Sequence, residues 1–226
     1  MDKPVITKNS LEFLNKLKEN NTREWFAEHK VEYKKHEVQV KGFYNSLMDR
    51  LNVHDEIEKQ KMFRIYRDVR FSKDKTPYNS HFSGSFSRSG NKLRGGYFLK
   101  IKNNESFMAT GFWEPNKEDL FRIRKEFELD TTEIRQIINN KSFKNIWGEL
   151  VGDEVKFAPK GFNKEDPNID LIKRKQYIFV KNFTNKEVLS SNFIEVVDDS
   201  FKAIRPYFNL MSDILTTNLN GESLFN

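Results

Sequence analysis

Between Lys61 and Lys102 the sequence places eleven lysines and arginines against two aspartates, Asp68 and Asp74, a local net charge of +9 in a chain whose total is +6. The rest of the chain therefore carries −3. A field of this sign attracts anions: nucleic acid, phosphorylated metabolites or an acidic partner. The densest stretch is Phe63-Arg64-Ile65-Tyr66-Arg67-Asp68-Val69-Arg70-Phe71-Ser72-Lys73-Asp74-Lys75-Thr76-Pro77-Tyr78. Its apolar residues alternate with polar ones at period two, which predicts a half-buried strand. On such a strand Arg67 shares the apolar face of Phe63, Ile65, Val69 and Phe71, where its desolvation is costly unless an acceptor pairs with it. Arg64 and Arg70 flank Asp68 on the other face, an arrangement suited to a bidentate ion pair or to donors left over for a phosphate or carboxylate. The polar loop after the strand adds Lys73 and Lys75.

Three readings follow. In the first, Arg64, Arg67, Arg70, Lys73, Lys75 and Tyr78 contact an anionic ligand, either a phosphate- or carboxylate-bearing small molecule or nucleic acid. In the second, the chain is an enzyme acting on such a small molecule. Asp68 or Asp74 is then the general acid or base and the arginines are an electrostatic clamp. That reading requires Arg67, Asp68, Arg70 and Tyr78 in one pocket. In the third, the arginines are internal ties of an interaction or scaffold protein.

Other chemistry is thinner. His81 shares a small polar strand face with Ser83, Ser85 and Ser87, but no Gly-x-Ser-x-Gly elbow supports a serine nucleophile. His29, Glu32 and His36 fall on one helix face at metal-ligand spacing, yet Lys30, Lys34 and Lys35 surround them, as on a solvated face. The Glu-x-Lys tripeptide at Glu154 to Lys156 is too common to carry weight. No metal site is assigned. Walker, dinucleotide-glycine, His-Glu-x-x-His and EF-hand patterns are absent, so the sequence names no cofactor. Trp25, Trp113, Tyr66, Tyr78 and Tyr97 could stack on bases beside the basic segment or belong to the core.

The elements that must position these groups are legible in outline. Ser10 is expected to cap a helix bearing Leu11, Phe13, Leu14 and Leu17, and Thr22 a second carrying Trp25 and Phe26. A longer helix runs from about Lys30 to Leu51. The Phe63 run, Phe82 to Phe86, Tyr97 to Lys102 and Phe107 to Trp113 read as strands joined by Gly and Asn turns. Helices are predicted from Asn116 through Leu129, from Thr131 or Thr132 to about Asn139, at Phe143 to Leu150 and at Ile169 to Arg174. Gln176 to Phe183 is a further strand, and a last helix from Asn192 is kinked or restarted at Pro206. The fold class is α+β: an antiparallel β-meander sheet flanked by N-terminal and C-terminal helices. One domain over residues 1–226 is expected, with a polar, fraying tail at 217–226.

The run from Phe63 to Tyr78 resembles the central motif of the bacterial and fungal family catalogued as domain of unknown function 2461. Asn21-Thr22-Arg23-Glu24-Trp25-Phe26 with Tyr33 is similar to its amino-terminal signature. Gly96-Tyr97, Gly111-Phe112-Trp113-Glu114-Pro115 and Pro159-Lys160-Gly161-Phe162 are similar to later blocks. The resemblance covers about residues 10–210 and implies one compact domain, but no reaction. Where the family often has Asp-His-Pro, this chain has Glu165-Asp166-Pro167, so no histidine role is implied there.

Composition bounds the setting. Twenty-one phenylalanines supply large apolar area to a chain that is only 37% hydrophobic. With no cysteine, disulfides, thiolate nucleophiles and cysteine-ligated metals are excluded. No apolar run reaches the ~20 residues of a membrane span, and Met1-Asp2-Lys3-Pro4 does not begin a signal peptide. A cytoplasmic location without membrane partners is expected.

Overall fold

Thr7 turns its hydroxyl to the Ser10 amide and opens the first helix, α1, Lys8–Glu19. In the computed structural model, which describes residues 4–225, the cap is thus three residues before the expected Ser10. Ser10 instead lies buried, its hydroxyl 3.0 Å from His36 Nδ1. Thr22 caps α2, Arg23–Leu51, so the two helices expected after Asn21 are one. No proline interrupts the segment between them, and the stripe Phe26, Tyr33, Val40, Phe43, Tyr44, Leu47 and Leu51 is buried along its length.

The strands are β1, Ile57–Met62; β2, Phe82–Arg88; β3, Gly96–Ile101; β4, Ser106–Phe112; and β5, Tyr177–Phe183. They form one antiparallel sheet in the order β1-β2-β3-β4-β5. Between β4 and β5 come α3, Lys117–Leu129; α4, Thr132–Asn139; α5, Lys141–Trp147; and α6, Ile169–Ile172. After β5 come α7, Asn185–Val188; α8, Phe193–Ala203; and α9, Arg205–Thr216, with Pro206 in the first turn of α9, where its missing amide hydrogen is not needed. No helix among the described residues is long and apolar enough to cross a membrane.

The chain divides into two compact units. The first comprises the chain up to Phe86 with Phe98–Met108 and Asn182–Asp199. Its core stacks Tyr44 on Phe86 and Phe43 on Phe193, with ring centroids 5.9 and 5.7 Å apart. The buried Tyr44 hydroxyl donates to the Leu99 carbonyl at 2.8 Å, satisfying a polar tip that burial would otherwise penalise. The second unit comprises Ser87–Tyr97, Ala109–Lys181 and the chain from Ser200. Tyr97 and Trp147 meet Phe201 there, and Phe179 meets Tyr207. The Tyr207 hydroxyl donates to the Tyr177 carbonyl at 2.8 Å.

Two local readings are corrected. The strand expected over Phe63 to Phe71 is a loop, and the strand before it is β1, unread in the sequence because only Ile57 of Ile57–Met62 is buried. Asp68 and Asp74 bond to backbone amides two residues on, offering local turns in place of a ladder. In the described part of the tail Thr217 pairs with Ser223, and Arg122 donates to the carbonyls of Thr217 and Asn218. Residue 226 lies outside the described residues.

Candidate functional site

The loop between β1 and β2 folds back on itself as an arm. Its two sides meet where Arg67 N donates to Pro77 O at 2.9 Å and Asn79 N to Ile65 O at 2.7 Å, around an antiparallel bridge of Tyr66 and Tyr78. The base of the arm is pinned to the start of α2. Asn21 exchanges both amide hydrogen bonds with the Tyr78 backbone, at 2.9 and 3.1 Å. Phe26 stacks on Tyr78 at 4.0 Å and reaches Tyr66 at 5.9 Å. Ile65 is buried at 3% exposure, whereas Phe71 at the tip is 97% exposed. Burial raises the Tyr78 hydroxyl above its ordinary pKa, with the neighbouring Tyr66 adding to it. Tyr78 is an anchor of the arm.

The tip uses its charges on itself. Arg67 donates to Asp74 Oδ2 at 2.5 Å, to the Thr76 hydroxyl and to the Thr76 carbonyl. Arg70 makes a bidentate pair with Asp68 at 3.0 and 2.6 Å. Lys75 donates to the carbonyls of Val69 and Arg70. Lys73 is exposed. Hydrogen bonds from Thr76 and Arg67 hold the Asp74 carboxyl at about 2, and Arg70 holds Asp68 below the usual carboxylate range. Both acids are ionised at neutral pH, which suits neither to donate a proton there.

Beside the arm lies a groove of about 770 Å³. Arg64, Tyr66, Arg67 and Asp68 of the arm line it. Lys61 and Met62 at the end of β1, Phe63 just past it, Asn79 and His81 before β2 and Ser83 within β2 line the rest. Of the residues expected to contact a ligand, the groove gathers Arg64 and Arg67; Arg70, Lys73, Lys75 and Tyr78 are elsewhere on the arm. This groove therefore does not gather Arg67, Asp68, Arg70 and Tyr78, the set required for acid–base chemistry. Among the described residues neither Lys61 nor Arg64 has an ion pair or a side-chain hydrogen bond; Lys61 Nζ sits 5.4 Å from the Phe63 ring centroid. Lys61 and His81 were legible as parts of the basic run and of the small polar strand face, but nothing in their spacing ties them to Arg64.

His81 faces further cations. Burial, then Lys100 and Lys102, lower its pKa to about 4, while Glu105 opposes them. Burial and then Lys102 lower Lys100 in turn. Lys102 is paired with Glu105 at 2.5 Å. The neutral His81 ring can accept or donate one hydrogen bond at pH 7 and is poised to gain charge if an anion arrives. In an NMR titration the His81 ring resonances should shift with a midpoint near pH 4, and saturating inorganic phosphate should raise that midpoint. Because the folded pKa lies below the ordinary 6.5, the preference for the neutral ring is fully expressed above pH 6.5 and is lost as pH falls through about 4. Urea midpoints of His81→Asn should therefore fall less than those of the parent between pH 7 and pH 4; parallel curves would contradict this.

The helix-face histidines do not converge. His29 stacks on Trp25 and bonds to its carbonyl, and His36 meets Ser10. Among the described residues no three His, Cys, Asp or Glu side chains are arranged to hold a metal ion.

A family model described as conserved hypothetical protein (DUF2461) matches residues 9–209. No curated protein matches the chain.

Proposed function

The chain belongs to the DUF2461 family of conserved hypothetical proteins, and we propose that its work is to bind an anionic, phosphate- or carboxylate-bearing ligand in the groove beside the arm. The observation that carries this reading is the division of labour among the cations. Arg67, Arg70 and Lys75 are neutralised or spent within the arm, whereas Lys61 and Arg64 face one groove with no carboxylate bonded to them. Asp68 lines the same groove and feels the Arg64 charge, yet the lining still carries more cations than carboxylates, a balance that favours an anion. Ser83 and His81 add neutral hydrogen-bonding groups alongside. The internal pairing supports the structural reading of Arg67 and Arg70. Asp68 and Asp74, both held ionised, are unsuited as general acids, and the hydrogen bonds that lower them also make each a weak base. A cytoplasmic setting fits a chain without cysteines.

Calorimetry with inorganic phosphate, pyrophosphate and citrate tests the proposal. Each lost charge-assisted contact should weaken binding roughly 10- to 150-fold, so a Lys61→Gln/Arg64→Gln double variant should lose measurable affinity. Arg70→Gln should stay within about 2-fold of the parent, as expected for an exposed pair within the tip. Equal affinity of the parent and the double variant, or no anion bound by the parent, would sink the reading.

A further inference from the structure

Strand alternation in the first unit puts rings on the face of the sheet turned away from its core. In β3, Leu99 and Ile101 are buried, while Phe98 and Lys100 between and before them are only half-buried. In β4, Phe107 is half-buried between the buried Ser106 and Met108. Phe63, just past β1, is 39% exposed. The three rings form a row: Phe63 lies 6.3 Å from Phe98, and Phe98 lies 5.6 Å from Phe107, tilted by 41° and 36°. A lysine sits over each end, Lys61 over Phe63 and Lys100 over Phe107, both at 5.4 Å. The row runs into the groove, because Phe63 and Lys61 line both.

Partly exposed rings on a sheet face cost solvation unless something flat covers them, and the flanking ammonium groups state the charge of that cover. We propose that the ligand is single-stranded nucleic acid, its bases stacked on Phe63, Phe98 and Phe107 and its phosphates against Lys61, Arg64 and Lys100. This rests on the anion-binding reading of the groove and names the class of anion. Unpaired bases offer the planar faces that such rings take, independent of sequence, and a duplex buries those faces in its own stack. A small phosphorylated metabolite would fill the groove and leave Phe98 and Phe107 uncovered.

Fluorescence anisotropy of the full chain with labelled oligo-dT and oligo-rU of ~15 nucleotides at about 50 mM salt provides the test. Binding of one or both is expected, stronger than to the matching duplex and weakening linearly on a logarithmic salt scale. Phe98→Leu and Phe107→Leu keep apolar bulk and should each weaken oligonucleotide binding roughly 5- to 150-fold while leaving pyrophosphate binding within about 2-fold. Phe98→Trp should restore it, which a merely structural role for the ring would not do. Oligonucleotide binding unchanged in both leucine variants but lost in Lys61→Gln/Arg64→Gln would overturn stacking. No oligonucleotide bound by a parent that still takes pyrophosphate would overturn nucleic acid and leave the groove reading standing. Failure of the parent to bind either would remove both.

Discussion

Phe26→Ala should lower the stability of this chain by about 3–5 kcal/mol, the range for emptying a buried phenylalanine site. Phe26 is 2% exposed, and its ring is the common neighbour of Tyr78 at 4.0 Å, Tyr33 at 5.2 Å and Tyr66 at 5.9 Å. Two of these tyrosines belong to the arm and form its only backbone bridge among the described residues between 63 and 81. The loss is therefore both global and local. Urea denaturation reads the first: against a total of about 5–15 kcal/mol, a large share of the folding free energy disappears. Hydrogen exchange reads the second: the amides of Arg67 and Asn79, bonded across the arm, should lose more protection than those of Tyr44 or Leu47 in α2. Groove binding should fall with them, since Arg64 and Tyr66 ride on the same arm. Phe71→Ala is the contrasting variant. It removes an equally large ring from the tip of the arm, yet at 97% exposure the change should stay within about 0.5 kcal/mol. Equal effects from the two would mean that the arm is not held by its aromatic base.

Gly111→Ala in β4 should cost about 2–6 kcal/mol. Its φ of +116° is a conformation that side chains with a Cβ rarely adopt, worth about 1–3 kcal/mol of strain. An added Cβ would also meet the Tyr177 carbonyl oxygen inside van der Waals distance and stand 2.9 Å from Ile178 Cα. Both obstacles are backbone of β5, which cannot swing aside as a side chain can, so overpacking adds about 1–3 kcal/mol more. β4 and β5 are neighbours in the sheet, and the expected result is a depressed thermal midpoint with faster exchange at amides of both strands. Gly42→Ala, in the middle of α2 with nothing within 4 Å of the new Cβ, should instead stabilise by about 0.5–1 kcal/mol. A neutral Gly111→Ala would show that β5 can retreat from β4.

Much of the architecture was legible because its signals are local. The helix expected from Asn116 is α3, capped by the Asn116 side chain accepting from the Asp119 amide, and of the kink or restart expected at Pro206 the chain takes the restart. The run Tyr97 to Ile101 is a real strand whose burial alternates because residues on opposite faces of a sheet meet different surroundings, and Tyr177 to Phe183 is a strand that begins with three buried residues in a row. The Phe63 to Phe71 run defeated the same rule. Its alternation was genuine in the letters, but Phe71 meets solvent and Asp68 and Asp74 close local turns, so a period of two did not become a ladder. β1 went unread for the opposite reason: a strand burying one side chain in six has no hydrophobic pattern to show.

Charge behaved differently from pattern. The amino-acid order alone established that Lys61 to Lys102 carries a surplus of nine positive charges, that thiol chemistry is excluded, and that helices flank an antiparallel sheet, since composition and periodicity are properties of neighbours along the chain. Which cations are spent and which are free was decided by tertiary structure alone. Arg67 and Asp74 find each other only because the arm doubles back, and Lys61, Arg64 and His81 share a groove only because β1 and β2 bring its walls together. The physical reason is the reach of the interaction. A hydrogen bond needs its partner within about 3 Å, and residues this far apart in sequence come that close only when the chain has folded.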